Sequence, residues 1–324
     1  MKTILSHKLT QGIAAGFILL AVYIIMYPPD IEIFKKTSEF AAHLMFVLLG
    51  LSLMLLVFNQ TRLMFIAMLA SGLLAFYLKT ASNSSMILPQ INNLPKVKIA
   101  HFNLSSFDAY DPQFKQTIDQ TNCDLISFQE YTPDWEAYIS KTLAKEYPYA
   151  HKMVRIDVFG MAVFSKKPLG KIDIFFYEGI PNLSFVYDNG MQDIKIISSY
   201  IAPPSLNSKK ISSNDHLNVV AEKVQEQNIP TIALGDFNQV YWTNEIKSFR
   251  ESTHLNNSRR NISVTSKAPY DHIFYSDQLE CIQFSEVKNQ NQDHLGIFGT
   301  FQSKNSITNP AILRSMETLQ QNPN

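Results

Sequence analysis

The chain has 324 residues, with 28 Lys+Arg set against 28 Asp+Glu; it is 46% hydrophobic but only 17% charged, where an ordinary globular chain is about a quarter charged. This composition excludes collagen-like, low-complexity and wholly disordered chains, and two cysteines exclude a disulfide scaffold or a cysteine-rich zinc module. The charge balance excludes a chain that holds nucleic acid by bulk basicity, and the length suggests about two folding units.

The missing charge is local. No Asp, Glu, Lys or Arg falls among the 21 residues between Lys8 and Asp30, the 22 between Glu39 and Arg62, or the 16 between Arg62 and Lys79. An α-helix needs about 20 apolar residues to cross the hydrocarbon layer. Three transmembrane helices are expected, at about 9–28, 40–59 and 62–79, the third with Arg62 and Lys79 snorkelling from its ends. A cleaved leader would explain only the first window, and buried soluble helices are amphipathic where these are apolar all round. Gly12, Ala15, Gly16, Gly50, Ser71 and Gly72 are candidate close-approach positions between helices. His43 is expected near the interface or between helices. Lys2, Lys8 and Arg62 fall on one side of the bilayer and Lys35, Lys36 and Lys79 on the other, so the positive-inside count ties. For a bacterial source the expectation is an inner-membrane protein whose large C-terminal part faces outward.

Residues 81–95 are polar and punctuated by proline, and read as a tether. Residues 304–324 have no strand pattern and read as a disordered tail. Between them, 96–303 alternates short apolar runs with helical patterns. Strands are expected at 97–102, from Leu125, at 161–165, 173–177 and 183–187, from Asp193, in TIALGDF, in HIFYS and in IFGTFQ. Phe114 and Ile118 mark one helix. Leu217, Val220 and Val224 mark another, with Asn214 as its candidate cap. Asp188-Asn189-Gly190 signals a tight hairpin. The fold class is α+β with two packed sheets.

Hard oxygen donors end these strands: Asn103 the first, Glu130 the second, Asp236 and Asn238 the run TIALGDFN. Asp271 opens HIFYS, and Asp293 and His294 precede IFGTF. Each alone could be a turn residue, but together on one rim they make an oxygen cage suited to Mg²⁺ or Mn²⁺ and less well to zinc.

KIAHFNL, DLISFQEYTPDW, MAVFSKKPL, TIALGDFN, YDHIFYS and QDHLGIFGTF together resemble the successive motifs of the endonuclease/exonuclease/phosphatase superfamily, in order over about 96–303. The resemblance implies a four-layered α/β sandwich, two mixed β-sheets flanked by helices, here preceded by the three transmembrane helices. It implies a metal-dependent phosphoric ester hydrolase with the site where the sheets meet. Glu130 and Asn103 resemble metal ligands, joined by Asp293. Asp236 resembles the group that orients or deprotonates water, and Asn238 a holder of that water or of a phosphate oxygen. His294 resembles a donor to phosphate, with Asp271 fixing its tautomer. Tyr200 stands where many members carry His; it is a candidate catalytic and substrate-binding phenol, acting as an acid if its pKa falls. Ser105 stands where an Asn or Asp is common, which weakens a second metal contact, and His272 is expected to pack.

The implied substrate is a phosphodiester, of nucleic acid or phospholipid, with the lipid bilayer a partner through the N-terminal helices; no protein partner is inferable. From 95 to 303 there are 20 Lys+Arg and 24 Asp+Glu, a balance unlike that of a dedicated duplex binder. Arg155, Lys166, Lys167, Lys209, Lys210, Arg259 and Arg260 could line a polyanion path or be solvated charge. A nuclease-like hydrolase leads, with a lipid or small-molecule phosphodiesterase or phosphatase as alternative. A non-catalytic membrane binding protein on the same fold comes next, and a transporter is disfavoured because no charge lies inside a span.

Overall fold

The computed structural model describes residues 8–29, 31, 34, 36–83, 89–107, 113–206, 210–260, 269–289 and 294–304. Three helices come first: α1 (Lys8–Met26), α2 (Ala41–Val57, entered through a 3₁₀ turn at Thr37–Phe40) and α3 (Thr61–Thr80). All three, the second counted with its 3₁₀ turn as Thr37–Val57, are long and apolar enough to cross a membrane. Leu9, Phe17, Leu53, Val57, Phe65 and Phe76 point outward and are exposed. Water would not tolerate such a surface, but lipid would. The small residues at the close contacts are Ala67 and Ala70, both fully buried, and Ser71, whose Oγ donates to the Met45 carbonyl at 2.9 Å. Gly12, Gly16, Gly50 and Gly72 instead face open space; they are not the close-approach positions expected of them. His43 is exposed near the start of α2, its ring 6.3 Å from that of Phe40.

The remainder contains β1 (Lys96–Asn103), α4 (Gln113–Thr121), β2 (Leu125–Gln129), α5 (Pro133–Leu143), β3 (Tyr149–Met153), β4 (Met161–Ser165), β5 (Leu169–Tyr177), β6 (Ile180–Asp188), β7 (Asp193–Tyr200), α6 (Ser213–Gln225), β8 (Thr231–Asp236), α7 (Asn244–Thr253), β9 (Leu255–Asn257), β10 (Asp271–Ser276), β11 (Leu279–Lys288) and β12 (His294–Ser303). Two six-stranded sheets result, ordered β11-β12-β1-β2-β4-β3 and β5-β6-β7-β8-β10-β9. Each has a single parallel pair near its centre, β1–β2 and β7–β8, and is otherwise antiparallel. The inner faces meet in one apolar layer containing Ile99, Leu125, Val163, Phe185, Ile196, Leu234 and Phe301. The outer face of the first sheet packs Phe102, Phe128 and Phe164 against Phe114 of α4 and Ile139 of α5. That of the second packs Ile197, Ala233 and Phe274 against Leu217 and Val220 of α6 and Phe249 of α7. These are the four layers of the expected sandwich.

Some local features differ from expectation. The cap of α6 is Ser212, whose hydroxyl accepts from the Asp215 amide at 3.2 Å; Asn214 lies inside the helix. The hairpin between β6 and β7 is a four-residue loop, Asn189–Gln192. In it the Asn189 Oδ1 accepts from the Met191 and Gln192 amides, both at 2.9 Å, and Gly190 takes φ +88°. The segment 81–95 is no free tether in its described parts. Asn83 Oδ1 accepts from the Asn257 amide at 2.8 Å and from Arg250 at 2.9 Å, and Asn92 bonds to Gln302 and Ser303. Residues 305–324, read as a tail, lie outside the described residues.

Gly235 of β8 has no room for a side chain beside β7, its neighbour in the same sheet. Its φ is +145°, and a Cβ there would sit 1.9 Å from the Ser199 carbonyl oxygen. Gly235→Ala is expected to cost at least about 2 kcal/mol, from positive φ and backbone overlap together, read as a loss of several degrees in Tm of the detergent-solubilised chain. Gly190→Ala, strained at its φ but with open space around it, is expected to cost less.

Candidate active site

Topology converges the polar residues on one rim. Strands β1, β2, β7 and β8 all end there, the parallel pairing placing Asn103 beside Gln129 and Tyr200 beside Asp236. The antiparallel neighbours begin there: Asp271 pairs directly with Asp236, and β12 starts at His294. Asn103 is the hinge. Its Nδ2 donates to Glu130 Oε1 at 3.1 Å and to Asp236 Oδ2 at 3.3 Å, while its Oδ1 accepts from the Ser105 amide and hydroxyl at 3.0 and 2.8 Å. Ser105 thus holds Asn103 in place. Glu130 leaves β2 in the left-handed region at φ +58°, an unusual conformation for a side chain with a Cβ that occurs where a site demands it.

Asp236 is held from both sheets. Its amide donates to Gln129 Oε1 at 2.9 Å, and its Oδ1 accepts from the Asn238 amide at 2.8 Å. Asn238, at φ +51°, donates its Nδ2 to the Ile201 carbonyl at 2.9 Å. Burial, reinforced by the charge of Asp271, pushes the Asp236 carboxyl up to about 7. Burial also raises Asp271, but the hydrogen bond from His294 and the nearby imidazole of His101 outweigh it and hold that carboxyl below the usual range. His294 Nε2 meets Asp271 Oδ2 at 2.6 Å, with the His294 side chain 27% exposed and that of Asp271 6%. Burial, then Asp236, pushes the Tyr200 phenol up to about 12. Tyr200 therefore stays protonated near neutral pH and can donate a hydrogen bond, but it is not a titrating acid. His272 is buried, with Nε2 2.8 Å from the Gln239 carbonyl and its ring among Phe237, Tyr241 and Phe274, a packing role. Asp293 lies outside the described residues.

Two residues that matter here are missing from the sequence expectation. Gln129, fully buried, donates Nε2 to the Ser199 carbonyl at 2.5 Å while accepting from Asp236, so one amide links the two sheets at the rim. His101, also fully buried, faces Asp271 Oδ1 at 4.0 Å and Ser127 Oγ at 3.4 Å, and Ser127 Oγ meets Ser198 Oγ at 2.8 Å. A polar residue inside an apolar strand run, as in KIAHF and LISFQE, was the available signal.

Glu130, Asp236 and Asp271 share this rim, and none of the described ion pairs joins any of them to a Lys or Arg. A divalent cation would supply the missing charge. No three His, Cys, Asp or Glu side chains among the described residues form a ready metal cluster. Mg²⁺ is commonly held through one or two carboxylates while water and substrate phosphate complete its shell. Glu130 and Asn103, hydrogen-bonded to each other at the rim, are the residues that could hold such an ion.

The sequence profile described as the Endonuclease/Exonuclease/phosphatase family matches residues 100–294. No curated protein matches the chain. Similar solved structures include an endonuclease/exonuclease/phosphatase from Beutenbergia cavernae DSM 12333, 16% identical, covering 64% of this chain and 72% of that one with a TM-score of 0.53. A humanized D. rerio TDP2 is 16% identical over 64% of this chain and 100% of its own, with a TM-score of 0.51. D. rerio TDP2 complexed with a single-strand DNA product is 16% identical over 64% and 99%, with a TM-score of 0.50. At these identities the likeness establishes the fold.

The Asp236 environment gives a pH signature. A carboxyl raised in the folded state contributes stability at low pH that is lost as pH rises through about 7. His101 and His216, lowered to about 4 by burial, and His272, lowered to about 3, work oppositely, and their effect extends through their unfolded value of about 6.5 to roughly a unit above it. In chelator-treated protein the Tm of the wild type relative to Asp236→Asn, in which the histidine contributions are shared, is therefore expected to fall as pH rises from about 5 to about 8. A wild-type minus variant difference that stays level over this range would contradict the assignment.

Proposed function

The chain belongs to the endonuclease/exonuclease/phosphatase family, and from that premise we propose that it is a membrane-anchored, divalent-metal-dependent hydrolase of phosphodiester bonds. The observation that carries the reading is the shared rim of Asn103, Glu130, Asp236, Asp271 and His294, built from both sheets. A phosphodiester is anionic and repels nucleophiles; Mg²⁺ or Mn²⁺ bound by Glu130 and Asn103, with Asp293 as a further candidate ligand, would neutralise charge growing on the phosphoryl oxygens.

The chain's own groups divide the remaining work. Asp236, with a pKa near neutrality, suits a general base that takes a proton from water and gives it up again. Asn238 is locked by its backbone to Asp236 and by its side chain to Ile201 and Tyr200, which sets amide and phenol side by side where both would meet water or a phosphoryl oxygen. His294, oriented by Asp271, donates to a phosphoryl oxygen or to the leaving oxygen. Tyr200 adds a neutral phenol donor. The apolar spans support an integral membrane protein; inner-membrane placement with the hydrolase part outside the cytoplasm remains a proposal for a bacterial source.

A nuclease is the second reading, favoured by the TDP2 neighbour whose title names a single-strand DNA product. Against it, several cations that could line a polyanion path are engaged. Arg155 pairs with Asp157, Arg259 is buried against Glu286, and Arg260 donates to the Cys281 carbonyl at 2.9 Å.

The full chain in detergent is expected to hydrolyse bis(4-nitrophenyl) phosphate with Mg²⁺, to lose activity in EDTA and to recover it on Mg²⁺ addition. Glu130→Gln and Asp236→Asn are each expected to lower kcat by roughly 10²–10³. Unchanged rates in both variants would sink the assignment. Gln129→Leu strips both the Asp236 amide and the Ser199 carbonyl of a buried partner, and is expected to cost about 2–4 kcal/mol of stability and to lower kcat without altering the metal requirement.

A further inference from the structure

The α1–α2 connection does not merely join two helices; it forms one wall of a cavity at the active-site rim. The cavity, about 220 Å³, is bounded on one side by Lys36 and Glu39 and on the other by Asn238, Gln239, Pro204 and Glu245. Its volume lies below the roughly 300–1,000 Å³ of pockets that take drug-sized ligands, so it suits a small polar group. The wall is pinned. Trp242 Nε1 donates to the Ser38 carbonyl at 2.7 Å, Asn244 Nδ2 to the Met26 carbonyl at 3.1 Å, and the Tyr270 hydroxyl to Glu39 Oε1. Lys36 Nζ lies over the Tyr270 ring, 5.8 Å from its centroid, and Tyr270 directly precedes Asp271.

The chemistry of the lining is specific. Gln239 is 5% exposed, and its Nε2 is buried with no hydrogen-bond partner among the described residues, a costly arrangement unless an acceptor arrives. Lys36 and Gln239 both line the cavity, and a turn of the Gln239 amide, whose nitrogen is closed off at rest, would add a second donor for an anion to that of the Lys36 ammonium. Glu39 and Glu245 present carboxylates to a cation. The cavity also sits where helices expected to enter the bilayer begin and end. Exposed Tyr27 and Phe40 directly adjoin the lining residues Pro28 and Glu39 in the chain, and Tyr27 lies 5.6 Å from exposed Tyr23, in the manner of aromatic residues at a membrane interface.

We infer that this cavity receives a zwitterionic phospholipid headgroup, the phosphoryl oxygens toward Lys36 and Gln239 and the ammonium toward Glu39 and Glu245, making a membrane aminophospholipid diester the substrate. The inference rests on the hydrolase reading above. Water adds its oxygen to phosphorus, one P–O ester bond breaks, and its protons end on the departing alcohol and the new phosphomonoester or solvent. Lys36 and Gln239 are specificity residues, distinct from the groups that act on the water.

The test uses the full chain in nanodiscs, following the diester signal by phosphorus-31 NMR so that either ester bond can be the one cleaved. Phosphatidylethanolamine is expected to be hydrolysed with at least about tenfold higher kcat/KM than phosphatidylglycerol or a single-stranded oligonucleotide. Lys36→Ala, and separately Gln239→Leu, is expected to lower that value about tenfold relative to the same variant's rate on bis(4-nitrophenyl) phosphate. A ratio unmoved by both variants, or an oligonucleotide preferred over the lipid, overturns the inference. Calorimetric binding of glycerophosphoethanolamine to the full chain separates the two readings. Lys36-dependent binding with no hydrolysis of any diester supports the cavity and removes the catalytic reading, whereas hydrolysis of the aryl diester without such binding removes the cavity.

Discussion

The rim depends on one buried amide. Gln129 accepts from the backbone of Asp236 and donates to the backbone of Ser199, so the end of β2 in one sheet is fixed against the ends of β7 and β8 in the other. Face-to-face sheets are held mainly by apolar contact, which is nearly indifferent to small slips; a two-ended hydrogen bond in a dry interface is not. Gly235 lets this happen, since any Cβ at that point would strike Ser199. The string His101, Ser127 and Ser198 adds polar links between the same central strands. Because each sheet has its parallel pair at the centre, those links lie directly beneath the strand ends that carry Asn103, Glu130, Tyr200 and Asp236.

That alignment separates two chemically identical residues. Asp236 and Asp271 are both buried and face each other across β8–β10. Asp271 has an imidazole bonded to it and a second one nearby, so its charge is favoured. Asp236 has amides and other carboxylates, so its charge is disfavoured until a cation or substrate changes the balance. Neighbouring carboxyls pushed apart in this way commonly take different parts in a reaction. Here the separation fits a water-activating carboxyl beside a carboxylate that orients a histidine.

Much of the site was legible because polar residues at the ends of apolar runs are conspicuous against them. Asn103, Glu130, Asp236, Asn238, Asp271 and His294 all carry that signal. Gln129 and His101 did not stand out, because their importance comes from what the opposite sheet presents to them. Edge strands were also hard to see. β3 (YAHKM) and β11 (LECIQFSEVK) have one face in water, so their patterns are mixed, and α5 and α7 are short helices rich in polar residues. In the spans, the glycines offered as close-approach positions do not serve as such, whereas Ser71, offered with them, does, together with Ala67 and Ala70. A glycine with no neighbour within 4 Å offers no contact, and the sequence pattern alone does not reveal which helix face meets another.

The least legible feature is that the N-terminal helices and the sandwich are continuous. One apolar cluster runs from Val22, Ala42, Leu74 and Tyr77 through Trp242 and Ile246 to Leu217 and Phe274, and Lys247 sits over the Tyr77 ring at 4.2 Å. A passive anchor needs only a flexible tether, and would leave the rim to orient freely above the bilayer. Here, burying an indole whose N–H is satisfied by the Ser38 carbonyl and a guanidinium bonded to Ala81 and Asn83 removes that freedom at the ends of the helices. The entropy so lost has to be matched by interactions that need a defined orientation. A site that draws a substrate group from the membrane surface needs one, because the α1–α2 wall and the Asn238–Gln239 rim enclose the cavity only when helices and sandwich hold this arrangement.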